Sequence, residues 1–408
     1  MDKNLENQID EILNRGTIVE ILPTKDEFRK KLLSGEKLRF YMGFDPTAKS
    51  LHLGHSQGLM ILEDFRKLGH EVIFLIGDFT GMIGDPSDKS SARIKQTPEQ
   101  VRENFALWKD QVKNIADFDD NNNPFQIKYN SEWLGKLNFA EVLELASNFT
   151  VQQMLERDMF AKRIKEEKPI YIHEFMYPLM QGYDSVAMDV DVELCGTDQI
   201  FNALAGRTLM QKIKNKDKIV ISVKLIADEK TGMLMSKSNN TGVFLDLGVN
   251  DLFGAIMSQP DGMLRPLFLG CTRISLDEIE RLMKLENPRD AKLELATEIV
   301  KIYHGKDEAE KAKEYFVKTI SNKEIPEQVV EWVVAYDAPQ NVASFMVSAG
   351  LATSKSDARR KIEQGGVSIG GEKIVAGQEI MILNPESHDG KIMKVGKIHF
   401  VKIKFEKK

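Results

Sequence analysis

Leu38-Arg39-Phe40-Tyr41-Met42-Gly43-Phe44-Asp45-Pro46, then His52-Leu53-Gly54-His55, then SQGLMILEDFRKLG (56–69) and EVIFLIGD (71–78) are the stretches that decide the fold. The first is β-prone and ends at Gly43 and Pro46, residues that punctuate a chain. Leu59, Ile61, Leu62, Phe65 and Leu68 then recur at helical spacing, and Gly69 supplies the stop. EVIFLIGD follows at once, a continuous apolar run of the kind buried on both faces of a parallel sheet. Strand, helix and strand within about forty residues make a βαβ unit, which predicts a right-handed crossover and an α/β fold.

Outward from this unit the pattern is mixed. Residues 1–36 read as a helical lead-in, with Ile9, Ile12 and Leu13 on one face. Residues 96–180 read as mostly helical, an insertion broken by the polar run DFDDNNNP (117–124). VDVELCGTDQ (190–199) and KIVISVKLI (218–226) return to α/β character. Residues 251–335 read as helical throughout, and AYDAPQN (335–341) marks a boundary. Beyond it lie a short helix (342–350), a basic helix SKSDARRKIEQ (354–364), and VSIGGEKI (367–374), a hairpin with a Gly-Gly turn.

With 408 residues, two or three domains are expected. A composition 42% hydrophobic and 29% charged is that of a globular protein able to bury sizeable cores. There is no run of 18 apolar residues, and the opening MDKNLENQID is polar, which argues against a membrane span or signal peptide. Cys195 and Cys271 are too few for a disulfide scaffold or a four-cysteine zinc site, so no structural metal is expected and the cytoplasm is the expected compartment. The net charge of −6 hides an asymmetry. Residues 351–408 carry 12 Lys/Arg against 7 Asp/Glu, a net of +5, leaving −11 on residues 1–350. A basic module on an acidic body points to a nucleic-acid contact at one end; a solvated lysine-rich tail is the competing reading.

His52-Leu53-Gly54-His55 is the strongest chemical signal, because it falls between a predicted strand and a predicted helix. Ligands of open α/β sheets bind at the carboxyl ends of strands, where helix N-termini present free N–H groups. Two imidazoles there can donate to phosphate oxygens, and Gly54 lets a nucleotide pack on the backbone. Other phosphate motifs fail: Asp88 stands where a P-loop needs its second glycine, and no GxGxxG follows the first strand. Met235-Ser236-Lys237-Ser238 lies in a polar, Gly-flanked stretch, where a lysine can meet charge developing on a phosphate. Alone such a tetrapeptide is an ordinary solvated loop; paired with HLGH it gains meaning.

HLGH and MSKS resemble the two signatures of class I aminoacyl-tRNA synthetases. The flanking sequence is similar to the bacterial tyrosyl-tRNA synthetase family: Tyr41–Thr47 to its first strand, and Ile83-Gly84-Asp85-Pro86-Ser87 to the loop after its second. Tyr177–Asp184 resembles its amino-acid pocket helix, Gly196-Thr197-Asp198-Gln199 its nucleotide-side loop, and residues 348–374 an S4-type RNA-binding module. The resemblance implies a Rossmann-like catalytic domain over 1–250 with a helical insertion about 96–180, a helical domain over 251–337, and an S4-like α+β domain over 341–408. It further implies that Tyr41 and Asp184 face a phenol hydroxyl, that Asp85, Tyr177 and Gln181 hold the tyrosine ammonium, and that Gln199 lies near its carboxylate. His52, Gly54, His55, Asp45, Asp198, Ser236 and Lys237 would bind ATP, with His52, His55 and Lys237 catalytic. Lys355, Arg359, Arg360 and Lys361 would contact RNA. Tyrosine, ATP with Mg²⁺, tRNA(Tyr) and a second copy of the chain are the implied partners.

The family's second signature usually opens with lysine, and here that position is Leu234. Lys230 and Lys224 are the candidates to replace it. A tryptophanyl enzyme is one rival reading, disfavoured by the Tyr41/Asp184 pair and the S4-like tail. A non-catalytic RNA-binding relative is the other, disfavoured by retention of HLGH and Lys237.

Overall fold

In the computed structural model, which describes residues 3–85, 96–235, 241–321, 329–337, 339–396 and 399–406, six strands form the first sheet. They are β1 (Ile18–Leu22), β2 (Arg39–Phe44), β3 (Glu71–Ile76), β4 (Gln126–Tyr129), β5 (Val192–Gly196) and β6 (Ile219–Val223), in the order β1-β6-β5-β2-β3-β4. All neighbours are parallel except β1, which runs antiparallel to β6. The expected βαβ unit is present, with helix Leu53–Lys67 joining β2 to β3. This helix is buried on nearly all sides, so it is apolar around most of its circumference, and its buried Glu63 and Arg66 pair with each other at 2.8 Å. Phe40 of β2 stacks on Phe65 of the helix at 4.5 Å, which ties the crossover to the sheet.

Order matters more than strand count here. From β2 the chain proceeds outward to β3 and β4, then returns to lay β5 on the other side of β2 and continues to β6. The direction of winding reverses between β2 and β5, which makes their carboxyl ends the switch point of the sheet. Their pairing is also the shortest of the parallel set, two residue pairs, Phe40↔Val192 and Tyr41↔Glu193.

Three strands correct the sequence reading. β1 sits inside the supposed helical lead-in, where IVEIL pairs with β6. β4 sits inside the supposed helical insertion; its QIKY is too short and polar to stand out, and it is a strand because it pairs with β3. The remainder of residues 96–180 is largely helical, as expected. The third, β7 (Val330–Ala335), lies at the end of the segment read as helical throughout. Its VEWVVA suits either period, and parallel pairing decides it in favour of strand.

The chain divides into two compact units, Met1–Leu247 with Gln259–Tyr303, and Gly248–Ser258 with His304–Lys408. The segment 251–337 is therefore shared between the units. Its middle stays with the first because helix Leu264–Cys271, with Leu267, Phe268 and Cys271 buried, packs on helix Leu53–Lys67, where Cys271 Sγ donates to Leu53 O at 3.4 Å. In the second unit β7, β8 (Val367–Ile369), β9 (Glu372–Lys373), β10 (Ile392–Val395) and β11 (His399–Glu406) form a sheet in the order β7-β11-β10-β8-β9. Its core includes Val342, Phe345, Met346, Ala358, Ile362, Met393 and Ile403, from two short helices and the sheet. The Gly-Gly hairpin is present: Gly370 and Gly371 take φ of 57° and 90° between β8 and β9, and such positive values suit residues without a Cβ.

Helix Ile172–Met188 crosses helix Ile200–Leu209 at Gly182 and Gly206. A Cβ on Gly182 would lie 3.0 Å from the Gly206 nitrogen and 3.2 Å from its Cα, against backbone that cannot step aside. At Gly58 the obstacle is the flexible end of Met42. Gly182→Ala should therefore cost about 1–3 kcal/mol of stability, and Gly58→Ala clearly less. Urea unfolding of both variants checks this, and an equal or inverted ranking would contradict it.

Candidate active site

Where β2 and β5 part, a cavity of roughly 330 Å³ opens, lined by Tyr41–Asp45, Leu194–Gly196, the HLGH turn and helix Ile172–Met188. On that helix Tyr177, Gln181 and Asp184 fall at i, i+4 and i+7, so one face presents all three to the cavity. Tyr41 and Asp184 are 1% and 2% exposed. Asp184 accepts from Trp133 Nε1 at 2.7 Å and from Asn130 Nδ2 at 3.3 Å, so both oxygens are held as acceptors. Burial nevertheless pushes its carboxyl well above the usual range, against the pull of those two donors. Burial likewise raises the Tyr41 phenol, and the nearby Glu193 and Asp184 charges add to it, so Tyr41 keeps its proton. The Tyr41 hydroxyl does not bond Asp184; it meets Ser185 Oγ at 2.8 Å.

The other expected ligand groups line the same cavity but are tied differently from a simple ammonium cage. Tyr177 Oη donates to Asp45 Oδ2 at 2.8 Å, and Thr80 Oγ1 donates to Asp45 Oδ1 at 2.7 Å. Asp45 is thereby fixed at the carboxyl end of β2, joined to the pocket helix. Gln199 Nε2 donates to Asp85 Oδ2 at 2.6 Å and to Asp198 Oδ2 at 3.1 Å, linking the loop after β5 to the loop after β3. Gln181 Nε2 donates to Glu193 Oε1 at 3.0 Å, and Gln181 Oε1 accepts from Asn202 at 3.0 Å.

The two histidines have a structural task that the sequence reading did not assign. His52 is the N-cap of helix Leu53–Lys67: its Nδ1 accepts from Gly54 N, and His55 Nδ1 accepts from His52 N, both at 3.1 Å. They close a reciprocal capping box with imidazoles in place of the usual hydroxyl and carboxamide. Because each Nδ1 is an acceptor, each neutral ring carries its hydrogen on Nε2. Burial pulls His52 down to about 4 and His55 well below the usual histidine value, so neither is cationic at neutral pH. What they offer a phosphate is an N–H dipole. Gly54 also has a nearer reason than nucleotide packing: a Cβ there would sit 2.8 Å from the His52 ring.

Ser236 and Lys237 lie outside the described residues. Leu234 and Met235 line the cavity, so the departure from the usual lysine falls at the site itself. Neither Lys230 nor Lys224 lines it, and among the described lining residues there is no lysine or arginine. Five carboxylates do line it, those of Asp45, Asp85, Asp184, Glu193 and Asp198. Among the described residues no group of three or more His, Cys, Asp or Glu side chains could hold a metal ion, and no helix is long and apolar enough to cross a membrane. Sequence reasoning missed Glu193, Ser185, Asn130 and Trp133. Glu193 was legible as a lone charge inside the apolar strand VELCG; the last two follow β4, which was itself missed.

In the second unit the four expected RNA-contacting residues lie on helix Lys355–Glu363. Lys355, Arg359 and Arg360 are exposed. Arg359 pairs with Glu379 at 3.1 Å and Arg360 with Asp357 at 2.6 Å. Lys361 is turned to structure, donating to Leu351 O at 2.9 Å and pairing with the buried Asp357 at 3.1 Å.

A family model described as tRNA synthetases class I (W and Y) matches residues 33–321. A second, described as the tyrosine–tRNA ligase SYY-like C-terminal domain, matches residues 320–402. The tyrosine–tRNA ligase of Carboxydothermus hydrogenoformans is 41% identical, over 97% of this chain and 98% of its own length. That of Thermotoga maritima is 40% identical, over 98% and 97%. Among solved structures, a C-terminally truncated mitochondrial tyrosyl-tRNA synthetase of Coccidioides posadasii shares the fold, with TM-score 0.61 at 23% identity over 76% of this chain and 94% of its own. The tyrosyl-tRNA synthetase of Archaeoglobus fulgidus complexed with L-tyrosine aligns with TM-score 0.58 at 18% identity, over 76% and 99%. The chain belongs to the class I tRNA synthetases of the W and Y group. Its near-full-length likeness to curated relatives narrows this to the tyrosine–tRNA ligase family.

The capping histidines carry a pH signature. The unfolded chain binds protons near 6.5, whereas folded His52 and the buried His70 bind them only near 4. The unfolded state thus holds more protons in that window, and stability should be lost as pH falls from about 6.5 through about 4. His52→Asn/His55→Asn, which keeps acceptors at both capping positions, should flatten the fall in denaturant midpoint. An unchanged slope would show that these rings titrate normally.

Proposed function

We propose that this chain activates L-tyrosine with ATP, giving tyrosyl-adenylate and pyrophosphate, and then transfers tyrosine to the 3′ end of tRNA(Tyr). The observation that carries this reading is the burial of Asp184 and Tyr41 in the cavity that His52, His55 and Asp198 also line. A buried pocket with a carboxyl and a phenol suits an amino acid bearing a hydroxyl, and an indole, which can donate but offers no oxygen, would leave the Tyr41 hydroxyl without an acceptor. That disfavours the tryptophanyl alternative.

In this account Asp184 accepts the substrate's phenolic hydrogen and Tyr41 is the second partner of its oxygen. Asp85, Tyr177 and Gln181 receive the ammonium, and Gln199 lies on the carboxylate side. The carboxylate is already a nucleophile, so the first step needs no protein base. It attacks the α-phosphorus, the bond to the leaving oxygen breaks, and pyrophosphate departs. The site's work is alignment and stabilisation of charge on the phosphorus oxygens. His52 and His55 serve through their Nε2–H groups, Gly54 and Asp198 by contact with the nucleotide, and Asp45 by holding Tyr177 beside it. With five carboxyl groups in the lining, positive charge would come with the substrate or from the second signature. Mg²⁺ bound to the ATP phosphates supplies the first, and Lys237, with Ser236 beside it, the second.

For the second step a terminal ribose hydroxyl of the tRNA attacks the mixed anhydride. Lys355, Arg359 and Arg360 would meet RNA phosphates, with Lys361 bracing their helix. A homodimer accompanies this reading. Phe139, Leu143, Val151, Ile164 and Ile172 are 77%, 54%, 65%, 53% and 78% exposed in the insertion, an apolar set that a second copy would cover. The cytoplasm, where tRNA is charged, is the proposed compartment.

The test is substrate choice. Phenylalanine differs from tyrosine by one oxygen and would leave Asp184 and Tyr41 each one partner short in a buried site, at roughly 1–3 kcal/mol per group. Tyr41→Phe should lower the tyrosine-to-phenylalanine ratio of kcat/KM in pyrophosphate exchange about tenfold, and Asp184→Asn about a hundredfold or more. If neither moves the ratio, the hydroxyl site lies elsewhere.

A further inference from the structure

Behind the hydroxyl end of the pocket lies an ion pair that the reaction as described does not use. Lys218, at the entry to β6, and Glu193, on β5, are 0% and 1% exposed and in direct contact. Gly206 makes room for it: a Cβ there would lie 2.5 Å from Lys218 Nζ and 3.0 Å from Ser185 Oγ. Burying two charges is costly, and apolar side chains of similar volume usually fill such space with no loss of stability. Stability alone therefore does not account for the pair, and its contacts supply another reason.

Lys218 Nζ donates to Ser185 Oγ at 2.9 Å, and an ammonium can only donate. Ser185 is thus left with one hydrogen of its own to give. Its two possible acceptors are Tyr41 Oη at 2.8 Å and Glu193 Oε2 at 3.4 Å. Only the contact to Tyr41 has the length of an ordinary O–H···O bond. With Ser185 donating along it, Tyr41 does not spend its hydrogen on Ser185 and can turn it to the cavity. Glu193 does the converse for the next residue: it takes Gln181 Nε2 at 3.0 Å, which turns the carboxamide so that Oε1 is its acceptor side. A phenol oxygen needs a donor beside it and an ammonium needs an acceptor, and the one ion pair arranges both.

We propose that Lys218 and Glu193, with Ser185, form a positioning relay that sets the hydrogen-bond polarity of Tyr41 and Gln181 and so contributes to selection of a phenolic amino acid. This rests on the proposed tyrosine activation and deepens it. Asp184 takes the substrate's hydrogen, while the relay ensures that Tyr41 gives one. Without Ser185 as donor, Tyr41 is free to turn its hydrogen away, and the phenol oxygen loses a partner.

The experiment is pyrophosphate exchange by the full-length chain with tyrosine and with phenylalanine. Ser185→Ala should raise the KM for tyrosine roughly three- to tenfold, the worth of one neutral hydrogen bond, with kcat nearly constant because the phenol is remote from phosphorus. The phenylalanine kcat/KM should move less than about twofold, and Ser185→Thr, which restores the hydroxyl, should recover the tyrosine KM. The double variant Lys218→Met/Glu193→Gln leaves no unpaired buried charge and should show a selectivity loss at least as large, with melting temperature read alongside. An equal loss for both amino acids, a fall in kcat alone, or no rescue by threonine would reduce the relay to ordinary packing and overturn the proposal. Native protein with no tyrosine-dependent exchange would instead sink the functional reading itself, so the two failures are distinguishable.

Discussion

β2 and β5 are hydrogen-bonded neighbours for only two residues, and their last pair is Tyr41 with Glu193. Everything functional in the first unit follows from that parting. The chain winds away from β2 on one side and away from β5 on the other, so no continuous layer is obliged to fill the gap at their carboxyl ends. The gap becomes the cavity. Residues just past the parting, Gly43 to Asp45 on one strand and Cys195 to Asp198 on the other, become its walls. The next helix after β2 begins at Leu53 and brings its free N–H groups to the cavity, and His52 and His55 organise its first turn.

A pocket built this way must solve a solvation problem. Tyr41, Asp184, Ser185, Glu193 and Lys218 are all almost fully buried, and such groups are tolerable only when nearly every donor finds an acceptor. Tyr41, Ser185, Lys218 and Glu193 belong to a connected set that runs on to Gln181, Asn202, Gln199 and Asp85, while Asp184 is held by Trp133 and Asn130. Networks of this kind are rigid when complete, because turning one amide or hydroxyl strands another. Rigidity is what a selective site requires. A hydroxyl can be told from a hydrogen only if the groups that meet it cannot relax onto each other in its absence. The same logic explains why the cavity tolerates five carboxyl groups: Asp45 and Asp85 have fixed donors, and Asp184, held by Trp133, is one whose charged form burial disfavours.

Much of this was legible in the sequence, and for definable reasons. The βαβ unit was readable because both of its strands and its helix are buried, so apolar pattern and structure coincide. HLGH was readable as a site because its position between strand and helix is itself a physical argument. Its chemistry was only half readable: nothing in four letters says that the imidazoles cap each other or that burial keeps them neutral. β4 and β7 were missed because short or partly exposed strands owe their identity to a partner, and the partners lie at residues 71–76 and 399–406. Glu193 and Lys218 were each visible as a charge beside an apolar strand. That they meet depends on the pairing of β5 with β6, which periodicity does not encode.

The central claim is that a buried carboxyl and phenol at the switch point select tyrosine for adenylation. The most direct measurement is ATP–pyrophosphate exchange by the native chain with tyrosine, tryptophan and phenylalanine in parallel, at fixed Mg²⁺. The account predicts exchange that depends on tyrosine, with tryptophan and phenylalanine supporting far less. Exchange driven equally by tryptophan, or none with any of the three, would contradict it.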